Sequence, residues 1–401
     1  MSEPEMRQRA SVQLGEASAW LAETLRRAGR AAEVPKLLDE VLPIVDAAVQ
    51  REAGNLGALR SRALLRNRRV QVAMDSFDYA AAEKQGRQVA EDWTEFLRFD
   101  SDNDTAWNNR RVARNAVANA MWGQGRLDEA IELTKAGNRE TIERGGSPSS
   151  IRGSAFGVQR VDFVEAELGR VTDIDAAVAT GNRLRELSAS QTDPESVYRA
   201  ITPLWNEGVR AGMQLSVGQT VAALDGARSV ESRMQNLVPK TGEENRAVLD
   251  TMFAMRRVQM EAALTLRRWA EAAAAAGKLL AGRPTRDDTS EDALYWLSGD
   301  QALAAVAFSR AGDRAAAEKL IGSVTAYYAA RRRAATVDYD LRLRWAMIEL
   351  AKGLLAGSAA DKRANFSAGL SEIAAMPPQP QQLRAVRELK ATLEAELAEV
   401  K

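Results

Sequence analysis

Residues 104–134 read DTAWNNRRVARNAVANAMWGQGRLDEAIELT, and this stretch decides the fold. Between Thr105 and Trp122, the residues Val112, Ala113, Ala116, Val117, Ala120 and Met121 recur at three- and four-residue spacing, the period of a helix with one buried side. Asp104 stands where a short side-chain oxygen can accept an orphan N–H of the first turn. Gly125 can then take the left-handed conformation that ends a helix, and Asp128 and Glu129 fall in the first turn of a second helix, where the dipole favours negative charge. Ile131 and Leu133 continue the apolar side inward, so the segment reads as a helical hairpin.

The break at Gly125 is one of a series. Gly29, Phe77, Gly125, Gly169, Gly218, Arg267, Gly312 and Gly357 follow one another at steps of 48, 48, 44, 49, 49, 45 and 45 residues. A second series of turn-forming clusters runs out of phase with it: Gly54-Asn55, Asp100 to Asp104, Gly145 to Pro148, Thr192 to Pro194, Pro239 to Gly242, Gly282 to Pro284, Thr336 to Asp338 and Met376 to Pro380. The two series cut the chain into helices of about 18 to 24 residues, and no segment alternates with the period of a strand. The expected fold is all-α, a right-handed solenoid of about eight antiparallel hairpins in a single domain, 1–401. The hairpins are expected over residues 5–53, 54–100, 101–146, 147–192, 193–239, 240–284, 285–335 and 336–376. A capping helix follows over 381–401, with Leu383, Val386, Leu389, Leu393 and Leu397 on one face; a short coiled-coil dimerisation arm is its alternative reading. The helix beginning near Glu5 has no equally polar cap, which predicts that the first hairpin packs on something else.

The segment Ala116 to Ala130, with Gly123-Gln124-Gly125-Arg126-Leu127-Asp128-Glu129-Ala130, resembles the turn of tetratricopeptide repeats, and Ala311 to Glu318 is similar. The long period, with Phe99 to Asn103 before Trp107, resembles the extended tetratricopeptide arrays attached to bacterial signalling proteins such as serine/threonine kinases and caspase-like peptidases. The chain departs from the family in its 44- to 49-residue spacing against the usual 34 or so, in Trp269 at a turn, and in Pro43 within a helix. The resemblance implies a TPR-like solenoid whose first helices line a concave groove, acting as a scaffold for another protein. Its alternative is a regulatory or sensory region of such a bacterial signalling enzyme.

Composition narrows the chemistry. Histidine and cysteine are both absent from the 401 residues, which removes the usual general base, the thiolate nucleophile and the common nitrogen and sulfur metal ligands. No catalytic residue, cofactor or metal is expected; an enzyme using two carboxylates on an α-helical toroid is the remaining catalytic alternative. Lysine plus arginine equals aspartate plus glutamate at 55 each, so no net charge drives the chain toward nucleic acid. No apolar run approaches the length that spans a bilayer, and Met1 to Arg9 is polar, so membrane insertion is not expected. The expected compartment is the cytoplasm, or the periplasm were an export signal or anchor to lie outside this sequence.

The candidate binding residues come from the polar side of the hairpins. Asn108, Arg111, Asn115 and Asn119 recur at three and four residues; repeat alignment adds Arg60, Asn67 and Gln71 from the preceding hairpin and Arg152 and Gln159 from the following one. Amides and guanidinium groups hold peptide backbone and carboxylates directionally, so these nine are expected to fix a partner's peptide or helix in the groove. The bland alternative is hydrogen bonding between repeats. Arg331 to Arg333, Arg342 and Arg344, near Tyr327, Tyr328, Tyr339 and Trp345, are expected to be a solvated helix end. Asp100, Asp102 and Asp104 imitate a calcium loop, but Thr105 and Arg111 stand where it needs glycine and glutamate. Trp20, Trp93, Trp122, Trp205 and Trp296 are expected to anchor the core.

Overall fold

Seven of the eight recurring breaks hold a residue in the left-handed region: Gly29 (φ 75°), Phe77 (60°), Gly125 (73°), Gly169 (74°), Gly218 (83°), Arg267 (58°) and Gly312 (80°). At each, the next residue's N–H reaches a carbonyl five positions back: Arg30 to Leu25, Asp78 to Ala73, Arg126 to Met121, Arg170 to Glu165, Gln219 to Gln214, Arg268 to Ala263 and Asp313 to Phe308. This is the bond that satisfies the last carbonyls of a helix and turns the chain back on itself. Gly357 differs: it does not take positive φ, and Ala356 before it is extended (ψ 136°).

The computed structural model describes residues 2–193, 195–237, 243–282, 291–331 and 338–400. The expected turns at Pro194, Pro239 to Gly242, Arg283-Pro284 and Thr336-Val337, and Arg332-Arg333, lie outside them. Among the described residues there are seventeen α-helices and no strand: α1 Glu3–Arg27, α2 Val34–Arg51, α3 Leu56–Asp75, α4 Tyr79–Phe99, α5 Asp104–Gly123, α6 Leu127–Arg144, α7 Pro148–Glu167, α8 Ile174–Ser190, α9 Val197–Ser216, α10 Thr220–Gln235, α11 Glu243–Thr265, α12 Trp269–Gly282, α13 Glu291–Ala311, α14 Arg314–Arg331, α15 Tyr339–Leu355, α16 Ala359–Ala374 and α17 Arg384–Glu399. The fold is an all-α solenoid of helical hairpins. The out-of-phase turns supply N-caps: Asn55 accepts from the Ala58 N–H at 3.0 Å, Asn103 from Ala106 at 2.9 Å, and Asp338 from Asp340 at 2.9 Å. The cap of α5 is therefore Asn103, not Asp104, which sits in the first turn.

The chain forms two compact units. Of the described residues, the first comprises 2–137 with the short stretch 291–295; the second comprises the remainder. In the first, α1 to α5 pack in sequence around two adjoining apolar clusters. Leu65 of α3 lies with Ala19 and Ala22 of α1 and Leu38, Val41 and Val45 of α2, while Val89, Trp93 and Phe96 of α4 lie with Ala106 and Ala113 of α5. Gly86 is required at the α4–α5 contact, because a side chain there would meet Val117 at 2.8 Å. Trp93 and Trp122 are core residues as expected, but Trp20 is 68 % exposed and Trp296 is 49 % exposed. Val112 is likewise exposed, because α4 covers α5 along Ala106, Ala113 and Val117, and Val112 lies beside that line.

In the second unit the apolar clusters again join neighbours in sequence: α7 with α8, then α8 with α9, then α9, α10 and α11. α17 follows the same order, with Leu393 against Gly369 of α16, and adds contacts far back in the chain. Val386, Leu389 and Leu393 are buried, so its apolar face is taken up within its own unit. Its first residues also reach the ends of α7 and α9: the Ala385 N–H donates to the Glu167 carboxylate at 2.8 Å, and Arg384 donates to the Ser216 carbonyl at 2.9 Å. α17 lacks a side-chain N-cap of its own, and Glu167 supplies the missing acceptor from 218 residues away. Burial pushes the Glu167 carboxyl above the usual carboxylate range against the opposing pull of Arg384.

Candidate protein-binding face

Asn108, Arg111, Asn115 and Asn119 share one side of α5 by helical spacing, and Asn67 and Gln71 share one side of α3. Advancing 48 residues, the step from Phe77 to Gly125, carries Asn67 onto Asn115 and Gln71 onto Asn119. Both Asn67 and Asn115 are half-buried. Neither makes a side-chain hydrogen bond to any described residue. Two amides at equivalent places on neighbouring hairpins thus keep their donors and acceptors free.

Arg111 lies between Asn108 and Asn115. Its Nη2 donates to the Asn108 Oδ1 at 2.8 Å, and its Nε is shut away from water with no partner among the described residues. Burial alone moves the Arg111 guanidinium below its usual range, with no carboxylate acting in the other direction. A half-buried cation without a counter-charge is costly, and it is ready for an anion.

The other candidate residues are engaged. Arg60 lies 3.6 Å from Glu16 of α1 on an exposed surface, and Gln71 accepts from Arg68 at 2.7 Å. In the second unit, Arg152 stacks 4.4 Å over the Tyr198 ring and reaches Ser188 at 3.5 Å. Gln159 accepts from Arg185 at 3.5 Å. Asn108 and Asn119 make further contacts within the protein.

α3 and α4 carry a buried ion network that the sequence reading missed. Asp92, 3 % exposed, meets Arg66 at 2.8 Å and Arg62 at 2.9 Å, and Arg66 also meets Asp46 at 3.1 Å. Burial raises the Asp92 carboxyl to about 6, outweighing both arginines. The Nε of Arg62 lacks a partner like that of Arg111, but its charge is met by Asp92 and Glu95. A cleft of about 430 Å³ opens beside this network between α2, α3 and α4, lined by Asp39, Asp46, Arg66, Arg69, Lys84 and Gln88 among others. Its arginines are already neutralised, since Arg69 pairs with Asp39 and Arg66 with Asp46 and Asp92.

Arg185 is a second missed centre. It is 2 % exposed, donates to Asn206 and Asn182 at 2.6 Å each, and burial lowers it to about 10. The predicted solvated helix end is also an internal network: Arg344 is 4 % exposed, pairs with Asp340 and reaches Ser298 at 3.3 Å. Arg342 meets Glu372 at 2.9 Å, and Arg331 lies 3.9 Å over Tyr327.

Among the described residues no helix is long and apolar enough to cross a membrane. No family model matches the chain, and no curated protein matches it. Among solved structures it is similar to the TPR domain of P58(IPK), at 14 % identity over 96 % of this chain and 98 % of that one, with a TM-score of 0.22.

Proposed function

We propose that the protein is a binding scaffold that holds an acidic segment of a partner protein, extended or helical, against the α3–α5 face. The single observation behind this reading is the Arg111 guanidinium, half-buried, with no carboxylate of its own and only the Asn108 amide for company. A carboxylate of the partner meets that charge, and the amides of Asn67 and Asn115 grip the adjoining peptide groups, each offering one acceptor and two donors. Binding rather than turnover fits a chain with neither histidine nor cysteine.

The test begins with recovery of partners from native cells by the intact protein and by the Arg111→Ala/Asn115→Ala variant, followed by titration of the recovered segment in purified form. Loss of about 2 kcal/mol of binding, some thirtyfold in Kd, is expected for the double variant with an unchanged melting temperature. Equal affinity, or a variant that loses its fold together with its partner, makes the stripe structural instead. Replacing the partner's acidic residue by its amide should cost a similar amount.

A further inference from the structure

The cleft of about 430 Å³ between α2, α3 and α4 is separate from the α3–α5 face, since Asn67, Arg111 and Asn115 do not line it. Its volume falls at the small end of the roughly 300–1,000 Å³ of pockets that hold small molecules. The wall from α4 and the wall from α2 differ in chemistry. α4 contributes Lys84, Gln85 and Gln88. Lys84 is exposed and makes no ion pair with any described residue, and the half-buried amides of Gln85 and Gln88 make no hydrogen bond with any. α2 contributes acceptors. Asp46 and Asp39 bond Arg66 and Arg69 through Oδ1 only, which leaves the Oδ2 of each without a hydrogen bond to a described residue. Arg66 and Arg69, the lining residues from α3, are thereby engaged. A free ammonium and two free amides on one wall are thus matched with free carboxylate oxygens on the other. Leu42, 5 % exposed, and the Pro43 ring supply the apolar part of the lining.

Pro43 is an independent sign that the cleft is built for a ligand. It stands inside α2, where it lacks the N–H that the Asp39 carbonyl, four residues back, would accept. Its ring also crowds that carbonyl. At the equivalent place in the next hairpin, 48 residues on, α4 has Glu91, so the repeat itself does not call for proline. The helix rule is broken where Asp39 and Pro43 both line the cavity, and the result is one more acceptor on the α2 wall. Sequences break such rules at functional positions.

We propose that the cleft binds a free amino acid with an aliphatic side chain. The ligand's carboxylate meets Lys84 and the amides of Gln85 and Gln88, and its ammonium meets Asp39, Asp46 and the Asp39 carbonyl. Its side chain covers Leu42 and Pro43. A simple carboxylate or a simple amine satisfies one wall and leaves the polar groups of the other covered without partners, which weakens its binding. A ligand of this size binds with a Kd on the order of 100 μM. Because it bridges α2 and α4, it stabilises the first two hairpins against unfolding.

Isothermal titration of the intact protein with L-leucine should show saturable binding, and the melting temperature should rise with leucine concentration. Isocaproate, which is leucine without its ammonium, and isopentylamine, which is leucine without its carboxylate, should each bind at least tenfold more weakly. Lys84→Met should weaken leucine binding at least tenfold. Lys84 is exposed and bonded to no described residue, so the ligand-free variant should melt with the parent. Pro43→Ala returns an N–H to the Asp39 carbonyl and should weaken leucine binding about threefold, while the ligand-free variant melts no lower than the parent. Absence of saturable heat up to about 10 mM leucine, equal binding of either analogue, or full affinity in either variant would overturn the proposal.

Discussion

α3 and α5 hold equivalent places in consecutive hairpins, and both are rich in arginine, yet Arg111 of α5 ends differently from the guanidinium groups of α3. In α3, Arg62 and Arg66 close on Asp92, Arg68 on Glu23 at 2.8 Å and on the Ala19 carbonyl at 3.1 Å, and Arg69 on Asp39. In α5, Arg111 finds only an amide. Residue type and register therefore do not distinguish a group that holds helices together from one that awaits a ligand. The presence or absence of a carboxylate on the neighbouring helix does.

The largest test of that contrast removes the structural pair. Arg62→Ala/Arg66→Ala leaves Asp92 buried without a cation and should lower stability by about 3–5 kcal/mol in denaturant titrations at neutral pH. A smaller effect is carried by Asp92 itself. Its carboxyl rises from 3.8 to about 6 on folding, so the folded state holds the proton more tightly than the unfolded chain. The stability this group contributes is full below the unfolded value and is lost as pH rises through about 6. The difference in stability between the parent protein and Asp92→Asn should accordingly fall by up to about 3 kcal/mol from pH 4 to pH 6 and then level off. A flat difference would mean that the two arginines hold Asp92 charged throughout.

On the other helix the sign reverses. Arg111→Met removes a desolvated cation that nothing in the protein compensates, and should raise stability by about 1 kcal/mol while weakening partner binding. Loss of stability there would place Arg111 with the arginines of α3. The smallest effect belongs to the turns, where a similar contrast separates Phe77 from Arg267. Both take positive φ without being glycine, but Phe77 is 5 % exposed and packs edge-on to Tyr79 at 6.3 Å, whereas Arg267 is exposed. Arg267→Gly should gain about 0.5–1 kcal/mol from relief of left-handed strain, and Phe77→Gly should lose more in burial than it gains. Thermal melting of the two variants distinguishes them.

The helical hairpins were legible because two local signals coincide at each turn: a residue able to take positive φ, and apolar spacing that resumes on the far side. Even Phe77 and Arg267 could be placed, since the period holds where the glycine does not. The ion networks were not legible in the same way. Nothing near Asp92 in the chain announces Arg62 and Arg66, which lie 30 and 26 residues away and meet it only through α3–α4 packing. Local spacing likewise placed Asn108, Arg111, Asn115 and Asn119 on one side of α5, but could not tell Arg111 from Arg60, whose partner Glu16 lies on another helix. Trp20 was misjudged because aromatic residues usually fill cores, and helical spacing alone does not say which sides of α1 receive neighbours.

The reach of Arg384 and Ala385 back to Glu167 and Ser216 also sets an order of events in time. A polypeptide emerges from the ribosome from its first residue onward, and the earlier helices can pair as they appear. The ends of α7 and α9 gain their last partners only when residues near 384 have cleared the exit tunnel. The second unit is therefore completed only once that segment is free, and a ribosome stalled before that point would hold it unclasped.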